Sequence, residues 1–281
     1  MSMTKTFYKM HGIGNDYIYF DCFDWFPADP CAVAKKLSDR HFSVGGDGVV
    51  YICPSDAADA KMRMFNADGS EGKMCGNAIR CIGKFLYEIK GMKKDVLTVE
   101  TFSGIKTLVL TVEDGAVVSV RVDMGAAELC PAHIPANFPD ERAVGVPLEV
   151  GGREYRVTCV SMGNPHCVTF VDDPYALDLE KIGPMFEHDG HFPERVNTEF
   201  VRVDGKNELT MRVWERGSGE TWACGTGACA TAVAACLMGY CDENTDIQLH
   251  LRGGDLVIRV TPQAVYMTGP AAFAFKGEAE L

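Results

Sequence analysis

Two cysteines in this chain stand in surroundings so alike that their chemistry has to be read together. MRMFNADGSEGKMCGNAIRC runs from Met62 to Cys81, and MRVWERGSGETWACGTGACA from Met211 to Ala230. The stretches align without a gap: Cys75 and Cys224 lie 149 residues apart, as do Met62 and Met211. Each reads as a strand, a polar glycine-bearing turn, and a cysteine placed where a helix begins. A helix start carries N–H groups with no intrahelical acceptor and about half a positive charge. A thiol there is expected to have a lowered pKa, which makes a thiolate accessible near neutral pH. The adjacent amides, at Gly76-Asn77 and Gly225-Thr226, suit a carboxylate. The glycine after each cysteine lets a ligand come close to the backbone.

A single cysteine at a helix start is more often structural than reactive, but a duplicated one points to proton exchange at a stereocentre. With two related domains face to face, both helix starts point into one cleft. A carboxylate held there has a sulfur on either side of its α-carbon. One thiolate removes the α-proton, one thiol delivers a proton to the opposite face, and the roles exchange in reverse. The helix amides stabilise the charge that builds during carbanion formation. No pyridoxal-lysine motif or metal-ligand cluster is visible, so neither cofactor nor metal is expected.

The elements that must position these thiols repeat as well. Gly14-Asn15 and Gly163-Asn164 share the 149-residue offset, as do Gly48 and Asn197, and Gly104 and Gly253. A tandem duplication follows. The expected fold class is α+β, with two similar domains, each a mixed, barrel-like sheet around a central helix. Their expected extents are 1–124 with a C-terminal return strand at 270–281, and 125–269. Asp29–Arg40 reads as a helix with Ala32, Val33 and Leu37 on its apolar side. In the helix from Gly76 to Ile89, the strip Arg80, Lys84, Glu88 suggests incomplete cover. The helix from Gly225 to Met238 carries no charge on any face and should be buried all round.

Composition narrows the partners. A chain of 281 residues, 47% hydrophobic and 23% charged, has the profile of a soluble globular protein. No apolar run is long enough to span a bilayer and the start lacks a secretory pattern, so a cytoplasmic location is the expectation. The net charge of −12, with no basic run, argues against nucleic acid and anionic membranes as partners. The 12 cysteines are dispersed with no C-x-x-C, which favours reduced thiols.

At these residues the sequence resembles the diaminopimelate epimerase family, over essentially its whole length. The matching stretches are FYKMHGIGNDYIYFD, RHFSVGGDGVV, MRMFNADGSEGKMCGNAIRC, SMGNPHCVTFV, NTEFV, WERGSGETWACGTGACA and YMTGPA. The resemblance implies a cofactor-independent epimerase that interconverts LL- and meso-diaminopimelate on the route to lysine and peptidoglycan. It implies that Cys75 and Cys224 are the acid/base pair, and that Gly76, Asn77, Gly225 and Thr226 hold the reacting centre's carboxylate. Asn15, Asn66, Asn164, Asn197 and Arg216 then bind substrate, several of them at the distal amino-acid end. Glu215 contacts substrate and, with His166, adjusts the thiol pKa values.

Amides supply both donors and acceptors to a distal zwitterion, and an arginine adds a fork for its carboxylate. Taken singly, the asparagines also fit turn or capping positions, His166 a satisfied loop histidine, and Glu215-Arg216 a solvated ion pair. Some family members have glutamine where Gly48 stands, so that substrate contact must be replaced here by backbone or water. The resemblance also implies a homodimer, with Phe275 supporting the interface. Two other readings stay open: a racemase of another amino acid, such as the proline racemase-like proteins that usually read Cys-Gly-His, and a non-catalytic thiol or metal-binding protein.

Overall fold

Period-two alternation of apolar and polar residues turns most of this chain into strands, and the two cysteine-headed segments become its longest described helices. In a computed structural model, which describes residues 3–281, the chain divides into two compact units. One is Met1–Val122 with Gly269–Leu281, the other Asp123–Thr268.

The first unit begins with β1 (Thr4–Gly12) and β2 (Asn15–Asp21), joined by a two-residue hairpin. Ile13 and Gly14 both have positive φ, 49° and 86°. Glycine adopts this freely, whereas a β-branched residue there is strained. Then follow α1 (Pro30–Ser38), β3 (Gly48–Cys53), β4 (Ala60–Asn66), the short β5 (Glu71–Gly72) and α2 (Gly76–Glu88). After them come β6 (Val96–Thr101), β7 (Gly104–Glu113) and β8 (Ala116–Gly125). The sheet is mixed: β2 and β3 run parallel, as do β4 and β6, and the other neighbours run antiparallel.

The second unit repeats the plan. It has β9 (Val146–Val150), β10 (Arg153–Ser161), β11 (Pro165–Phe170), α3 (Leu179–Glu187) and β12 (Asn197–Gly205). These are followed by β13 (Glu208–Glu215), β14 (Gly219–Thr221), α4 (Gly225–Leu237), β15 (Asp246–Leu251), β16 (Gly254–Val260) and β17 (Val265–Gly269). Parallel pairs fall at the corresponding places, β11 with β12 and β13 with β15. Pro30 and Leu179, which open α1 and α3, are 149 residues apart, as are Gly76 and Gly225, which open α2 and α4. The duplicated α+β plan is therefore present in the backbone. At one position the halves differ in origin. β9, just before β10, flanks it antiparallel, whereas β1 is flanked antiparallel by β18 (Ala272–Glu280) from the far end of the chain.

α2 forms because Ile79, Ile82, Phe85 and Leu86 recur on one face, all fully buried. It ends at Gly91, whose φ of +72° lets Met92 N–H turn back to Leu86 O at 2.9 Å. The expectation of incomplete cover fails. Arg80 is fully buried, its Nε donating to Pro270 O and its Nη1 to Gly76 O, both at 3.2 Å. Lys84 Nζ donates to Glu88 Oε1 and Val117 O, and Val117 N–H donates to Glu88 Oε1. The polar strip is a set of anchors for neighbouring backbone, not a solvated face.

α4 is buried from Gly227 to Ala235, as an uncharged helix must be. α1 starts one residue later than expected, with Asp29 accepting from Ala32 N–H and Pro30 opening the first turn. Its buried face is accordingly Ala34 and Leu37, and Ala32 is exposed.

Candidate active site

In the first unit the elements converge on Cys75. It is the N-cap of α2, and its Sγ accepts from Ala78 N–H at 3.5 Å. The thiol donates to Asn15 Oδ1 at 3.4 Å. Asn15 opens β2 directly after the strained Ile13-Gly14 turn, and its Nδ2 donates to Asp47 Oδ2 at 2.7 Å. Asp47 thereby fixes which end of the amide faces the sulfur. It also accepts from Asp16 N–H at 3.0 Å and pairs with Arg40 at 2.9 Å. Burial, and then the neighbouring Asp16 carboxylate, push its own pKa up, with Arg40 and Asn15 acting against them.

Gly76 and Asn77 follow in the first turn of α2, both buried. Asn66 closes β4, its Nδ2 donating to Ser70 Oγ at 3.0 Å within a tight Asn66–Ser70 turn. Gly48 lies between Tyr17 and Asn66 in the sheet. A β-carbon there would run into the Phe65 carbonyl oxygen and sit 2.8 Å from the Tyr17 ring. The place of a longer side chain is thus filled by the protein's own backbone.

In the second unit Cys224 caps α4, and Gly227 N–H donates to its Sγ at 3.3 Å. Thr226 Oγ1 is 3.5 Å from the same sulfur. The expected lowering of the thiol pKa is overturned here. Burial pushes Cys224 well up, and the Glu215 and Glu199 carboxylates push it further, against smaller opposing effects of Thr226 and the Gly227 amide. Desolvation of a thiolate outweighs the helix start. Cys224 therefore rests as a thiol.

Glu215, at the end of β13, accepts from Thr221 Oγ1. Burial raises its pKa, offset in part by Thr221 and His166. His166 is not a loop histidine: it lies on β11, fully buried, with Nδ1 2.7 Å from Glu199 Oε1 and Nε2 3.0 Å from Asn164 Oδ1. Asn197, paired with His166 across the parallel strands, donates from Nδ2 to Pro165 O at 2.7 Å. Its Oδ1 accepts from Arg216 N–H at 3.0 Å. Arg216 does not pair with Glu215; its Nη1 donates to Glu194 O at 2.9 Å. The turn carrying it is held by buried Glu187, which accepts from Gly217 N–H at 3.0 Å and Trp214 Nε1 at 2.8 Å.

The first unit thus gathers Asn15, Asn66, Cys75, Gly76 and Asn77, and the second Asn164, His166, Asn197, Glu215, Arg216, Cys224, Gly225 and Thr226. Sequence reading passed over three carboxylates that hold these groups: Asp47, Glu187 and Glu199. Asp47 stood in a GGDG stretch read only as a glycine turn. Glu199 is a lone charge in VNTEFV, a strand otherwise fit for burial, and that mismatch was the available signal.

A duplicated mixed sheet with a cysteine-capped helix in each unit defines a known fold. The chain aligns over 99% of its length with all of a phenazine biosynthesis protein of the PhzF family from Bacillus anthracis, at a TM-score of 0.69 and 16% identity. A hydroxyproline epimerase from Agrobacterium vitis aligns with 99% of this chain and 91% of its own, at 0.69 and 15%. The model of the family described as diaminopimelate epimerase matches residues 7–130 and 158–274. A diaminopimelate epimerase from Acetivibrio thermocellus is 54% identical over 277 residues, 98% of either chain. The chain belongs to the diaminopimelate epimerase family, and these enzymes are isomerases.

Proposed function

We propose that this protein interconverts LL- and meso-diaminopimelate, without a cofactor, in the formation of lysine and peptidoglycan precursors. Cys75 and Cys224 serve as its two acid/base groups. The observation that carries the reaction type is the cysteine N-cap repeated in both units, each with a main-chain N–H aimed at its sulfur. The substrate follows from the name of relatives matched over nearly the whole chain.

Within this reading, one sulfur, as thiolate, takes the α-proton, and the electron pair left on carbon delocalises into the carboxylate. The first-turn amides of α2 and α4, at Gly76, Asn77, Gly225 and Thr226, stabilise that carboxylate as its charge grows. The other sulfur gives its proton to the opposite face, which inverts the centre. Cys224, kept neutral by burial, is already in the donating form. Asn15, Asn66, Asn164, Asn197 and Arg216 recognise the rest of the substrate, and Glu215 and His166 adjust the thiols. Leaving such polar groups without partners penalises amino acids that lack a second zwitterionic end. We also assign the protein to the cytoplasm, as a homodimer with Phe275, half exposed on β18, at the interface. No described helix is long and apolar enough to cross a membrane.

A substrate panel tests the assignment. Turnover of diaminopimelate should exceed that of proline and hydroxyproline by orders of magnitude; faster turnover of either of those overturns it. Asp47→Ala should lower kcat/KM about tenfold. It removes a charge-assisted hydrogen bond worth about 1.5 kcal/mol and frees the Asn15 amide to rotate. Steady-state kinetics check this, and an unchanged kcat/KM shows that Asn15 needs no support.

A further inference from the structure

The His166–Glu199 contact stands apart among the described pairs of groups able to carry opposite charge, because both side chains are fully buried. Glu199 Oε1 lies 2.7 Å from His166 Nδ1, and Glu199 Oε2 has no hydrogen-bond partner. A carboxylate wholly removed from water needs a compensating charge, since an isolated buried anion is strongly disfavoured. No lysine or arginine bonds to it; the group in place is the imidazole.

The far side of the ring agrees. Nε2 faces the Asn164 amide oxygen at 3.0 Å. Oxygens on both nitrogens call for a proton on both, because neutral imidazole donates only once. The titratable groups facing this ring are Glu199 from β12, Glu215 from β13 and, beside Glu215, Cys224 at the start of α4. Glu199 also reaches the cysteine helix. A β-carbon at Gly227 would lie 2.6 Å from Glu199 Oε1 and 3.2 Å from Cys224 Sγ, so the bare glycine is what lets the carboxylate sit under that first turn.

We propose that Glu199 is a positioning residue that holds His166 as an imidazolium, placing a fixed positive charge among the carboxylates around Cys224. Without that cation, Cys224 would face Glu215 and Glu199 alone, and forming its thiolate during turnover would be harder still. The role rests on the reading of Cys224 as an acid/base group, but the charge state of the ring does not.

The test is nitrogen NMR of the full chain, with the His166 ring signals assigned by their loss in His166→Gln. In the wild type near neutral pH both ring nitrogens should carry protons. In Glu199→Gln, nearly the same shape without the charge, the ring should become neutral and kcat for diaminopimelate should fall at least tenfold with KM little changed. Glu199→Asp should restore part of both. A neutral His166 in the wild type overturns the proposal, as does an imidazolium or a wild-type kcat in Glu199→Gln. If Glu199→Gln does not fold, the wild-type ring signals decide alone. If the wild type does not turn over diaminopimelate, the functional reading falls while the ring measurement still stands.

Discussion

Cys75→Ala and Cys224→Ala are each expected to lower epimerisation of LL-diaminopimelate by on the order of 10³-fold, the scale of a lost general acid or base. The reaction needs a base on one face and an acid on the other, so one sulfur cannot do the work of both. The double variant should be little worse than either single one, because groups acting as a unit lose their effect together. Serine should be nearly as poor as alanine, since a hydroxyl is a far weaker acid than a thiol. Folding needs a separate check. Each sulfur is also the N-cap acceptor for Ala78 or Gly227 N–H, and loss of a cap costs about 1 kcal/mol. Circular dichroism melting should show that modest loss alongside the collapse in turnover. An alanine variant that keeps a tenth or more of wild-type activity removes that cysteine from the mechanism.

Gly48→Gln, which installs the side chain found in some relatives, is expected to destabilise the protein by about 3 kcal/mol or more. Inserting atoms into a packed site costs about 1–3 kcal/mol where side chains can yield. Here the obstacle is the Phe65 carbonyl, part of the ladder that pairs β3 with β4 through Gly48 and Asn66. The Tyr17 ring closes the other side at 2.8 Å. Moving Phe65 displaces Asn66 with it, so substrate recognition should weaken as well. A urea midpoint shifted downward together with a raised KM is the expected pair of results. An unchanged midpoint with a lower KM would show that the site admits the longer side chain.

The parts of this protein most legible in its sequence are those where two copies say the same thing. The helix starts at Gly76 and Gly225 were marked by the repeated Cys-Gly and by apolar spacing beyond it. The uncharged face of α4 correctly implied burial. What stayed hidden depends on contacts distant in sequence. Arg80 reads as solvated from helical spacing, yet Pro270 O, 190 residues on, takes its Nε. The thiol of Cys224 reads as acidified by its helix start, yet the Glu199 and Glu215 carboxylates and the surrounding burial reverse the sign. Spacing reports a helix's own field, whereas desolvation is set by everything packed against it.

The most direct measurement follows LL-diaminopimelate incubated with the protein in deuterated water. The two-thiol account predicts meso-diaminopimelate carrying deuterium at the inverted α-carbon, since the incoming proton comes from a thiol that exchanges with solvent. Substrate recovered as the LL isomer, with protium still on both α-carbons, contradicts it.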